Sequence, residues 1–252
     1  MKIVVINGVN HHGSTYNISR KLISKLDGEI KEFFLPKDFD EFCCGCTTCF
    51  TKDETLCPHH QKLKPILDAT IESDLIILNS PVYVFHATGQ MKAFLDHLGF
   101  MWMAHRPHEA MFKKQAVVIS TAAGAGMKSC IKDMADSLFY LGVPKIYKLG
   151  LAVSATSYDQ INEKKKKIIE AKTSKIANKI KKCKNVKPGF KTKAFFFIMH
   201  LMQKKGWNPK DVSYWKEKGW TEKKRPWKVW GIKNEKINLY RRWLFLGRRN
   251  VL

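Results

Sequence analysis

Two stretches of this 252-residue chain carry side chains at spacings that suit chemistry. The first holds five of the seven cysteines, four of them as Cys43-x2-Cys46-x2-Cys49-x7-Cys57 with Cys44 extra. Four thiolates so close together suit a cubane iron–sulfur cluster, because each iron takes one thiolate and short spacers let a loop wrap the cluster. The same four can enclose a zinc ion. Redox thiols or ordinary free thiols are the plainer readings, and disulfides are not expected in a cytosolic chain. The second stretch is Asn7-Gly8-Val9-Asn10-His11-His12-Gly13-Ser14-Thr15. Its hydroxyls, two glycines and following helix N-terminus can cradle a phosphate; a strand, a turn and an N-capped helix is the alternative. His11 and His12 read either as metal ligands or as surface and phosphate-facing residues.

Elements of regular spacing must position these groups. Residues 2–6 are apolar throughout, as in a parallel strand buried on both faces. Ile18, Leu22 and Leu26 predict a helix over 14–26, with Gly28 as its stop. Strands are expected at 29–35, 74–79, 116–120 and 144–153, and helices around 63–71, from Thr88 and around 131–138. In the helix after Thr88, Met91, Phe94, Leu95 and Leu98 form the apolar stripe. A long lysine-studded helix is expected from Tyr158 to about Cys183. Strands alternating with helices imply a doubly wound, five-stranded parallel α/β sheet. Ligands of such sheets bind beyond the carboxyl ends of the strands, where strand order reverses. Three loops leave those ends, at 8–15, 80–89 and 121–127, and are expected to share one crevice. No internal repeat argues for another architecture.

The order of strand, hydroxyl-rich loop, strand, Asn79-Ser80-Pro81-Val82-Tyr83 and then Thr88-Gly89-Gln90-Met91-Lys92-Ala93-Phe94-Leu95-Asp96 resembles the flavodoxin-like family of NAD(P)H-dependent FMN reductases, over about residues 1–155. The first loop is similar to the family's Asn-Gly-Ser-Pro-Arg start, with Val9 and Asn10 in place of serine and proline and one residue fewer before Gly13. The resemblance implies that Asn10, His12, Ser14 and Thr15 hold the FMN phosphate. It also implies that Ser80, Pro81, Val82 and Tyr83 border the isoalloxazine, with Thr121, Ala122, Gly124 and Gly126 on the other side. A flavin performs the redox chemistry itself, so no Ser-His-Asp or paired-carboxylate set is required. The implied activity passes hydride from NAD(P)H to FMN and on to a second acceptor, either a small molecule or a protein. The cysteine spacing is similar to that of the iron–sulfur flavoprotein branch, which implies a 4Fe-4S cluster on Cys43, Cys46, Cys49 and Cys57 and the rival role of electron carrier. A third reading is a non-catalytic binding module whose flavin site has decayed.

Charge separates the chain into two parts. Residues 1–150 hold 17 Lys and Arg against 15 Asp and Glu, a balance of +2, whereas residues 151–252 hold 28 against 7, a balance of +21. The expected division is a flavin-binding domain at 1–184 and a helical, basic, aromatic-rich C-terminal extension at 185–252. Asn208-Pro209 is a helix start and Gly219 a stop, and residues 194–202 are apolar almost all round. The thirteen aromatics after Asn185 suit packing on the main domain or on another subunit of a homo-oligomer first, a membrane interface second and single-stranded nucleic acid a distant third. No apolar run reaches the roughly 18 residues of a spanning helix, and no leader pattern is visible, so a cytoplasmic protein is expected.

Overall fold

The computed structural model describes residues 1–155 and 157–228. Of the thirteen extension aromatics, Trp230, Tyr240, Trp243 and Phe245 lie outside the described residues. Five strands, β1 (Lys2–Asn7), β2 (Glu29–Phe34), β3 (Leu75–Pro81), β4 (Gln115–Ala122) and β5 (Lys145–Ala152), form one parallel sheet in the order β2-β1-β3-β4-β5. Strand order reverses between β1 and β3, so their carboxyl ends open a crevice there. The central strands β1, β3 and β4 are buried on both faces, which explains their unbroken apolar runs. The outer strands carry exposed Glu29, Lys145 and Lys148, charges that discourage pairing at the sheet edges.

Alternate strand residues feed two cores. Val4, Ile6, Ile76, Leu78 and Val118 meet α3 (His60–Glu72), α4 (Gly89–Asp96) and α5 (Met127–Tyr140) on one face. On the other face Ile3, Val5, Ile77 and Val117 meet α1 (Ser14–Ile23) and α6 (Glu163–Lys182). Caps set several helix starts: Thr88 accepts from the Met91 amide at 3.2 Å, and Asn162 from the Lys165 amide at 2.9 Å. α6 therefore begins at Glu163, later than Tyr158, because the chain reaches it as a turn that buries Ile161 without helix.

The extension is helical and packs against the sheet domain. α7 (Phe190–Lys204), α8 (Pro209–Glu217) and the turn after α8 place Phe196, Trp215 and Trp220 in a third core with Met103 and Phe112. Phe196 stacks on Trp215 at 4.7 Å between ring centroids. The extension also grips the irregular segment before β4. Gln203 Nε2 donates to Ala104 O at 2.8 Å, Trp215 Nε1 to His105 O at 2.6 Å and the Tyr214 hydroxyl to Pro107 O at 2.8 Å.

Candidate functional site

Three loops at the carboxyl edge are tied together by short contacts. The Gly8 amide donates to Asn79 O at 2.7 Å, and Thr88 Oγ1 donates to Gly8 O at 2.6 Å. A Cβ on Gly8 would lie 2.9 Å from Thr88 Oγ1 and 3.1 Å from Asn79 O, so only glycine allows this approach. Thr15 and Thr121 share a hydroxyl hydrogen bond at 2.6 Å, which links the first loop to the third. Beneath them Asn79 Nδ2 donates to Asn7 Oδ1 at 2.8 Å in a buried side-chain pair.

These ties leave a cleft of about 220 Å³ between the loops. Its lining includes Ser14, Thr15, Pro81, Val82, Tyr83, Thr121 and Ala122 from the expected set, together with Val9. Ser14 stands in the first turn of α1, buried, and its Oγ has no hydrogen-bond partner among the described residues. A hydroxyl left unpaired beside free helix amides is a prepared anion contact. Five of the expected residues sit elsewhere. Asn10 and Gly124 are exposed off the lining, His12 stacks on Tyr16 at 4.2 Å, and Ser80 is buried below, where its Oγ accepts from the Thr88 amide at 3.0 Å. Gly126 also stands back, at φ 94°, where a Cβ would meet Val82 Cγ1 at 2.6 Å. The cleft instead recruits His11, Tyr16, Ala123, Val153 and Ala155. The last two follow β5, and only its adjacency to β4 brings them in.

The rim of the cleft is a strained hairpin. Tyr83 and His86 exchange backbone hydrogen bonds at 3.0 and 2.9 Å, and both residues between them, Val84 and Phe85, have positive φ (47° and 65°). Such two-residue turns favour Asn or Gly, and a β-branched residue there costs roughly 1–3 kcal/mol. Val84 is 93% exposed.

The cysteines form a second pocket. Cys43, Cys44, Cys46, Cys49 and Cys57 all line one cavity of about 70 Å³, with His59 and His97. Burial pushes the Cys49 and Cys57 thiols up, and neighbouring cysteines add to the effect, whereas a hydrogen bond from Thr48 lowers Cys46. Sequence reasoning missed both histidines. His97 Nδ1 donates to Ala93 O at 2.7 Å, leaving its Nε2 to face His59 Nδ1 at 2.8 Å. Donor atoms of Cys57, His59 and His97 lie within 4.8 Å of one another, a set that also suits zinc.

The sequence profile described as NADPH-dependent FMN reductase matches residues 1–157. The chain belongs to that family. An iron-sulfur flavoprotein of Archaeoglobus fulgidus is 29% identical over 111 residues, which cover 42% of this chain and 49% of that protein. The chain thus spans about half the length of that curated relative. Among solved structures, a flavone reductase has a TM-score of 0.55 at 15% identity, covering 75% of this chain and 66% of the other. An FMN-dependent NADH-azoreductase from Bacillus anthracis in complex with FMN has 0.53 at 11% identity, covering 70% and 100%. Both structures share the fold. In this member of the FMN reductase family, the cleft and the cysteine pocket fall inside the profile match, and α7 and α8 follow it.

Proposed function

We propose that the chain is an NAD(P)H-dependent FMN oxidoreductase. The observation that carries this reading is the buried Ser14 hydroxyl, without a hydrogen-bond partner among the described residues, at the N-terminus of α1 in the lining of a cleft whose walls are polar and apolar in similar measure. Ser14 and the first-turn amides of α1 would hold the phosphate, with His11 beside them in place of His12. Pro81, Val82 and Tyr83 on one side and Ala122 and Ala123 on the other would flank the flat ring. FMN bound there supplies hydride acceptance from NAD(P)H and delivery to a second acceptor. The test is titration of the protein with FMN, followed anaerobically by NADH or NADPH. Quenched flavin fluorescence and bleached visible bands support the reading; a protein that takes up no FMN supports the non-catalytic binding module.

The cysteine pocket favours a second reading, an iron–sulfur flavoprotein that carries electrons between partners. Cys43, Cys46, Cys49 and Cys57 would hold a 4Fe-4S cluster, since their convergence supplies four thiolate donors. Anaerobic reconstitution with iron and sulfide decides it: no iron or labile sulfide retained would remove this reading.

Partners follow from two exposed apolar surfaces. Tyr83, Val84 and Phe85 at the cleft rim suit a second copy of the chain in a dimer or tetramer, which sedimentation of a Val84→Asp variant tests by its loss. On α7, exposed Phe190, Phe197, Ile198 and Leu201 share one face, flanked by exposed Lys191, Lys193, Lys204 and Lys205. No Asp or Glu occurs between Glu170 and Asp211, so a second copy docking there would oppose lysine to lysine. An anionic membrane surface fits this face better. Co-sedimentation with phosphatidylserine vesicles should be lost in Leu201→Asp; equal binding by that variant would refute it. No described helix is long and apolar enough to cross a membrane.

A further inference from the structure

The cysteine segment is held unevenly. Among the described residues, Cys43 to Cys46 take part in no backbone–backbone hydrogen bond, and Gly45 and Thr47 have positive φ. Cys49 instead lies in α2 (Thr48–Thr51), a single helical turn too short to persist by itself. The carbonyls at the end of such a turn have no helical partners. Arg106 supplies them: its Nη2 donates to Cys49 O and, at 3.2 Å, to Glu54 Oε2, while Nη1 donates to Phe50 O at 3.3 Å.

Arg106 is itself set by the extension. Its Nη1 donates to Asp211 Oδ1, and His105 Nδ1 lies 2.8 Å from the other oxygen of Asp211. The side chains of Arg106 and Asp211 are 3% and 0% exposed, so the Asp211 carboxylate is held by Arg106 and His105, and the guanidinium by Asp211 and Glu54. Two further residues of the extension reach the same segment. Asn208 Nδ2 donates to Phe50 O at 3.1 Å, and Lys210 Nζ pairs with Asp53 at 2.8 Å. Asp53 in turn caps the short helical turn Glu54–Leu56, which leads directly into Cys57.

We infer that Asp211, acting through Arg106, is a positioning residue for the cysteine pocket, and that the C-terminal extension clamps Cys49 and Cys57 in place to receive a metal centre. Two thiols are thereby fixed before loading, and Cys43 and Cys46 close over the centre afterwards. A rigid pair lowers the ordering cost of binding, whereas a fully free loop would have to be ordered by the metal alone. The inference rests on the metal-centre reading for its purpose, but the clamp itself is testable without metal.

The experiment measures the rate at which a thiol reagent modifies the cysteines of metal-free protein, in wild-type, Asp211→Asn and Arg106→Lys chains, with FMN affinity measured alongside. Release of a buried charge-assisted bond should speed modification of Cys49 and Cys57 by about tenfold, with FMN affinity unchanged and less iron retained after anaerobic reconstitution. Arg106→Lys keeps the charge but loses the fork, so its rate should fall between the other two. Unchanged rates in a folded Asp211→Asn protein overturn the clamp. If that variant does not fold, the double change Asn208→Ala with Lys210→Met, which leaves the buried pair intact, reads the same quantity, and wild-type rates there also overturn it. Faster labelling in the variants of a chain that retains neither iron nor zinc upholds the clamp and removes the metal reading. Iron retained equally in all variants, together with wild-type labelling rates, does the reverse.

Discussion

Ser14 is the residue on which the flavin reading turns. Its hydroxyl has no partner among the described residues, so Ser14→Ala removes the proposed ligand contact and leaves none of them newly unpaired. The variant should fold normally and bind FMN about ten- to a hundredfold more weakly, as a charge-assisted bond to phosphate is worth roughly 1.5–3 kcal/mol; fluorescence titration measures it, and unaltered affinity would move the phosphate elsewhere. Gly126→Ala differs, because the new Cβ meets Val82 Cγ1 at 2.6 Å in a backbone with positive φ. It should lower thermal stability and FMN affinity together, through displacement of the rim hairpin. The choice between His11 and His12 was illegible in the sequence. Adjacent loop residues have no periodicity to sort them, and only the folded loop shows His11 on the cleft lining and His12 stacked on Tyr16 off it.

At the scale of elements, five strands and their order of appearance were legible, since buried parallel strands have unbroken apolar runs and Thr88 and Asn208 announce their helices. The late start of α6 was not, because Ile161 keeps the apolar spacing while lying outside the helix. The junction of α3 with β4 hides another feature. Buried Lys114 donates to Ile71 O at 2.7 Å and to Ser73 O, both at the end of α3. Burial pulls its ammonium down to about 8 from 10.5, with Asp74 opposing the shift. Below pH 8 the folded and unfolded chains are both protonated there. Between about 8 and 10.5 only the unfolded chain holds the proton, so stability gains with rising pH. Urea unfolding of wild-type and Lys114→Met chains should therefore diverge in favour of wild-type by about 2 kcal/mol between pH 7.5 and 10. Parallel pH profiles would show that the two carbonyls keep Lys114 charged.

For the whole molecule, the extension is structural as well as basic. Trp215 is fully buried against Phe196 and bonded to His105 O. Trp215→Ala should cost about 3–5 kcal/mol in urea unfolding and speed labelling of Cys49 as α8 loosens. A loss under 1 kcal/mol would mean that the third core is dispensable. Composition showed that the extension was basic and aromatic, yet nothing in it pointed to Arg106 and Asp211, since a pair 105 residues apart leaves no local pattern. That separation also gives assembly an order in time. Asp211 follows Cys57 by 154 positions (211 − 57), which at about 5–20 residues per second is a delay of roughly 8–30 s on the ribosome. During that interval the extension does not yet hold the cysteines, so a nascent chain exposes bare thiols, and a metal centre on them would gain the proposed clamp only after translation has passed α8.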